Sequence, residues 1–204
     1  MHKVSRSLGL ILSEVWSEPF FRIGLIVKLI LIIILLPTIQ QEWFVPFIVN
    51  WIENPITLPW SSHLLSGGNP LAFPYGPIMF ISHLPTTALG WMVDILFETQ
   101  YFANIGFRIS LFGADLLLLL LLLQAFEDHW KRIITYYWLS PLVLFITYWH
   151  GQTDLIPVVL FIYALTLIKR MNFKVAAVLF ACSIAAKHSM IIGVPFVILY
   201  LWSH

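Results

Sequence analysis

Eight consecutive leucines, 116–123, lie near the end of an apolar stretch, 107–125. As one helix, a run of that length reaches across the ~30 Å hydrocarbon layer of a bilayer. Residues 22–39, 133–149, 155–168 and 175–202 are further apolar stretches, the last expected to break near Lys187 into two short helices. Hydrophobic residues make up 60% of the 204-residue chain and charged residues 10%, against about 25% charged in soluble domains. Hydropathy spread this evenly does not describe one soluble core. The sequence therefore predicts an all-α fold, a polytopic transmembrane helix bundle of about five to six spans. A formal net charge of +1 gives no reason to expect nucleic acid as a partner. Cys182, the only cysteine, lies in an apolar run, which leaves neither a disulfide framework nor a thiolate metal site.

Charge sets the orientation. Residues 1–21 carry Lys3 and Arg6 beside Leu8, Ile11, Leu12 and Val15 at helical spacing, the pattern of a cytoplasmic amphipathic helix. Residues 22–204 then form the membrane-embedded module. No small-residue cleavage site follows 22–39, so that span is expected to be retained. Residues 40–104 contain no Lys or Arg, as a translocated outer loop should. If 77–97 is a membrane-hugging helix within that loop, Lys3, Arg6, Arg22, Lys131, Arg132, Lys169, Arg170 and Lys174 all fall on the N-terminal side. Pro85 argues the same way, because a proline disfavours a straight span. The expectation is a multi-pass plasma-membrane protein with a cytoplasmic N-terminus, an outer loop at 40–104 and a second, short one at 149–154.

The first outer loop is dense in proline and tryptophan and contains GGNPLAFPYGP, which fixes a rigid, irregular backbone. Trp43, Trp51 and Trp60 suit the headgroup level. The loop serves either as an interfacial anchor or as the floor of a site for an amphipathic, lipid-linked ligand. Polar residues within spans cost ~2.5–3.5 kcal/mol each and need a reason. Arg108 and Asp115 are seven residues apart on one helix face, a pair that another group could bridge inside the bundle. Lys28 reads as a snorkelling side chain. In YWHGQTDLIP a Gly-containing turn presents His150, Gln152 and Asp154 between two apolar helices. Asp154 can cap the helix that follows, accept a proton, hold a sugar hydroxyl or, with help from residues elsewhere, bind a metal. Lys187, in AAKHS, stands where the next outer turn belongs and suits a phosphate, or snorkels.

The order of these elements resembles the N-terminal module of the GT-C superfamily of polytopic membrane glycosyltransferases. It comprises one span, a long outer loop with FPYGP (73–77), a helix with Arg108 and Asp115, then HGQTD (150–154) and AAKHS. The resemblance covers about residues 20–202 and implies a sugar transferase of the extracytoplasmic face, mannosyltransferase-like, using a polyprenyl-phosphate donor. It implies Glu53 and Asp154 as catalytic carboxylates, and Lys187, His150, Gln152, Arg108 and Tyr75 as substrate-binding residues. No fixed cofactor is implied, although a divalent metal ion fits the chemistry. The expected partners are the lipid-linked sugar donor, membrane lipid, and a further membrane subunit or a missing C-terminal half. The pattern departs from the family at 56–78, which holds no carboxylate and leaves Glu53 as the nearer first-loop acid. That departure keeps an alternative open: a non-catalytic membrane subunit or lipid-binding scaffold related to these enzymes.

Overall fold

The computed structural model describes residues 8–202, and every element in that range is helical. Helix α1 (Leu8–Ser17) leads directly into α2 (Pro19–Ile34), whose proline sits at the helix start, where its missing N–H costs nothing. The apolar stripe read from the sequence exists, with Ile11 and Val15 buried against Leu119 and Leu123. It faces the protein. Lys3 and Arg6 lie outside the described residues.

A π-helical turn, Gln40–Phe44, opens α3 (Val45–Glu53), and α4 (Pro59–Leu65) follows. Rings anchor the irregular stretch after α4. Phe73 stacks on Phe47 at 4.8 Å, while Phe44 and Phe80 meet Phe73 edge-on. The Trp51 and Trp60 indoles donate to the carbonyls of Thr57 and Phe73, which ties them into this block. The loop is therefore a packed aromatic layer over the hairpin that comes next.

That hairpin begins with the helix expected at 77–97. Helix α5 (Pro77–Phe97) is one continuous helix through the exposed Pro85, and it packs antiparallel along α6 (Tyr101–Ala125). Glu98 turns the chain with φ of 53°, and buried Asp94 receives Thr99 Oγ1 and the backbone N–H groups of Phe102 and Ala103. A carboxylate on the first free N–H groups of a helix satisfies them and matches the positive end of its dipole. Gly90 lies on the backbone of Phe102, Gly106 on that of Thr86, and His83 on Phe107 and Ser110. Carried onward, this register puts Pro77 beside Asp115, so α5 accompanies only the first part of α6. The leucine run beyond is covered by α1, α2 and α9.

Among the described residues, α5 and α6 are the two helices long and apolar enough to cross a membrane. Residues 133–149, expected as one span, are interrupted. Helix α7 (Trp130–Ile133) continues as a π-helical segment to Trp138, and α8 (Pro141–Val143) continues as another to Trp149. Pro141 provides the break, because it lacks an N–H and restricts the residue before it. Helices α9 (Leu155–Lys169) and α10 (Phe173–Ala186) have 15 and 14 residues. At 1.5 Å per residue they extend about 22 Å, short of a hydrocarbon layer by themselves. A 3₁₀ segment, His188–Gly193, and α11 (Val194–Trp202) complete the chain as described, with the expected break falling at Lys187.

Candidate functional site

Three segments far apart in sequence meet where α9 begins and α10 ends. The first is the turn 150–154. Gly151 has φ of 84° and lies against Pro37 and Gln40, so a side chain there would be strained and would also collide. Buried Gln40 donates from Nε2 to the Gly151 carbonyl at 2.8 Å, which fixes the turn from below. The second segment is FPYGP, anchored in the aromatic block by Phe73 and joined to α10 by the Gly76 N–H on the Ala186 carbonyl. The third is Lys187, in extended conformation directly after α10.

Their side chains converge. The Lys187 ammonium contacts the Asp154 carboxylate, both side chains partly open at 31% and 42% exposure. The Tyr75 phenol donates to Gln152 Oε1 at 3.4 Å, and its ring lies 6.0 Å from the Lys187 ammonium. Burial pushes the Tyr75 phenol up, which keeps it a neutral donor. Asp154 occupies the cap position of α9 but makes no side-chain cap hydrogen bond, so its carboxylate serves Lys187 instead. The arrangement offers an anion a cation, a phenol and an amide on one open rim.

Three other predicted residues stand apart from this cluster. Glu53 is exposed at the far end of α3, where Oε1 accepts the Trp91 indole N–H at 3.4 Å. Phe44, which packs edge-on against Tyr75, is nine residues earlier, about 13 Å along the helix axis. Arg108 is 1% exposed and donates to the carbonyls of Ile32 and Tyr148 at 3.1 and 2.7 Å, which leaves it facing no open space. His150 is exposed beside Phe145.

The buried polar residues form a second system. Lys28 does not snorkel: it is fully buried, 2.5 Å from Asp115 Oδ2 and 3.6 Å from the Trp138 ring centroid. Tyr137 and Tyr148 donate to the same carboxylate at 2.7 and 2.5 Å. Tyr148 thereby bridges Asp115 to Arg108, the arrangement anticipated from their spacing. Two contributors escaped sequence reasoning. Lys28 is 87 residues from Asp115, and no local pattern pairs them. Gln40 had a weak signal, an amide directly after a span, but its target lies 111 residues onward.

Among the described residues no three His, Cys, Asp or Glu side chains come together in a way that could hold a metal ion. At the rim Asp154 is already paired with Lys187, so these residues do not fit a divalent cation and no chemistry is routed through one. No family model, curated protein or solved structure matches the chain.

Proposed function

We propose that this chain is a multi-pass membrane glycosyltransferase module of the GT-C kind, taking a sugar from a polyprenyl-phosphate donor on the extracytoplasmic face. The observation that carries the reading is the convergence of Asp154 and Lys187 on one rim with Tyr75 and Gln152. Glycosyl transfer from a lipid phosphate has two physical needs. A cation must stabilise the departing phosphate, and a carboxylate must orient or deprotonate the attacking hydroxyl. Lys187 supplies the first and Asp154 the second, with the Tyr75 phenol and Gln152 amide holding phosphate or sugar oxygens. An apolar recess of about 460 Å³, walled by Phe161, Ile192 and Phe196 and starting five residues after Lys187, suits the hydrocarbon of such a donor.

The test is transfer from radiolabelled polyprenyl-phosphate sugars in native membranes. Asp154→Asn and Lys187→Ala should each lower turnover about 10²-fold, the size of one positioned acid–base or charge contribution. Turnover within about twofold of wild type for both variants overturns the roles assigned to them. Orientation is tested with cysteines placed at exposed Ser66, His150 and Asn172 in a Cys182→Ser background. An impermeant thiol reagent should label the first two and spare the third.

A second reading, a non-catalytic lipid-binding subunit, is favoured by one observation: Asp154 is the single carboxylate at the rim, while Glu53 faces Trp91. Absence of product with every donor, together with retained binding of polyprenyl phosphate, selects it.

A further inference from the structure

On the other side of α3 from the Asp154–Lys187 rim lies a recess of about 450 Å³, bounded by α3 and the tip of the α5–α6 hairpin. Its wall carries the Glu53 carboxylate, the Trp91 indole and the side-chain amides of Asn50, Gln41, Gln100 and Asn104. We propose that this recess binds a neutral, hydroxyl-rich headgroup, chemically a carbohydrate.

Charge decides first. No Lys or Arg occurs anywhere in residues 40–104, so an anionic ligand would meet Glu53 with nothing to neutralise it. Asp94, also on the wall, is buried and already engaged with the start of α6, so it adds no free carboxylate. A simple ammonium ligand would pair with Glu53 and use none of the amide N–H groups.

Hydrogen-bond capacity decides second. Asn104 is 4% exposed; its Nδ2 donates to the Gln100 carbonyl at 2.8 Å, and its Oδ1 has no partner. A buried carbonyl oxygen without a donor is unfavourable, and a small outward turn of the Asn104 amide would bring it to a ligand hydroxyl. Vicinal hydroxyls both donate and accept, which matches a wall of one carboxylate and several primary amides. Glu53 Oε1 is oriented by the Trp91 indole N–H, and the indole ring offers a flat apolar surface to the C–H face of a pyranose. The volume is ample for one pyranose ring.

The recess is separate from the Asp154–Lys187 rim, so this inference does not rest on the donor reading and the two fail independently. The experiment uses the whole chain in lipid nanodiscs, with saturation-transfer NMR as readout. The probes are methyl α-mannopyranoside and methyl β-glucopyranoside, with ethanolamine, inorganic phosphate and glycerol as controls. At least one glycoside should bind saturably and resist competition by phosphate and ethanolamine. Trp91→Leu and Glu53→Gln should each weaken that binding about tenfold or more, a loss equal to one good contact. Lys187→Ala should leave it unchanged. Glu53 is exposed, so its variant decides the matter even where Trp91→Leu does not fold. Absence of saturable glycoside binding overturns the proposal, as does displacement by ethanolamine. Loss of the signal in Lys187→Ala but not in Glu53→Gln places the sugar at the other rim and also overturns it.

Discussion

The pairs Lys28–Asp115 and Lys187–Asp154 are built from the same two functional groups, and they differ in what surrounds them. Lys28 and Asp115 are both fully buried, roofed by Trp138, and the carboxylate takes two tyrosine hydroxyls as well. Lys187 and Asp154 are partly open, with a phenol and an amide nearby. A buried ion pair survives because each charge satisfies the other and additional hydrogen bonds fill the remaining sites. An open pair gains little from its partner, since water screens both. The first pair is thus fixed, tying α2 to α6 and to Tyr148. The second can exchange its partners for a ligand's phosphate and hydroxyl at small cost. Identical chemistry becomes scaffold or site according to solvent access.

Breaking the closed pair should have the largest effect. Asp115→Ala leaves an ammonium buried without a counter-charge, a loss of ~3–5 kcal/mol. Thermal unfolding of purified protein should fall sharply, or folded protein should vanish from membranes. Lys28→Met combined with Asp115→Asn removes both charges while keeping an acceptor for the tyrosines, and should recover a good part of that loss. If Asp115→Ala unfolds at the wild-type temperature, the buried system has no structural role.

A smaller effect is expected where the two systems are joined. The turn that carries Asp154 begins just after Tyr148, and Gly151 lets it fold back on Gln40. Gly151→Ala places a methyl in a left-handed backbone conformation against Pro37, at ~1–3 kcal/mol. Transfer activity should fall with the displaced carboxylate although the protein remains folded. Unchanged kinetics and unchanged melting would show that the turn does not depend on this glycine.

The smallest change in stability should come from opening the exposed pair. Lys187→Ala should alter unfolding by ~0–1 kcal/mol. Raising the salt concentration should mimic it, because screening acts on exposed charges first. A destabilisation as large as that of Asp115→Ala would mean that the rim pair is structural, and the contrast between the two pairs would collapse.

Sequence alone determined the helical class, because apolar runs separated by prolines and turn residues are a local property of the chain. It determined the break at Lys187 and the glycine-dependent turn at 150–154, since both follow from neighbouring residues. The family resemblance put Asp154, Lys187, Tyr75 and Gln152 in one set with Glu53, His150 and Arg108, and the structure brings only the first four together. Tertiary structure decided the rest. Pro85 marks a place where a helix loses one hydrogen bond, but packing along α6 decides that the helix continues through it. Lys28 has the composition of a snorkelling residue, and only the arrival of Asp115, Trp138 and two tyrosines from distant segments makes burial favourable. Glu53 and Asp154 read alike as carboxylates beside apolar helices. The direction of α3, set by the ring packing of Phe44, Phe47 and Phe73, turns Glu53 toward Trp91 and leaves Asp154 to Lys187. Propensity and periodicity act over a few residues, whereas the partner of a charge is chosen by whichever segment the fold brings beside it.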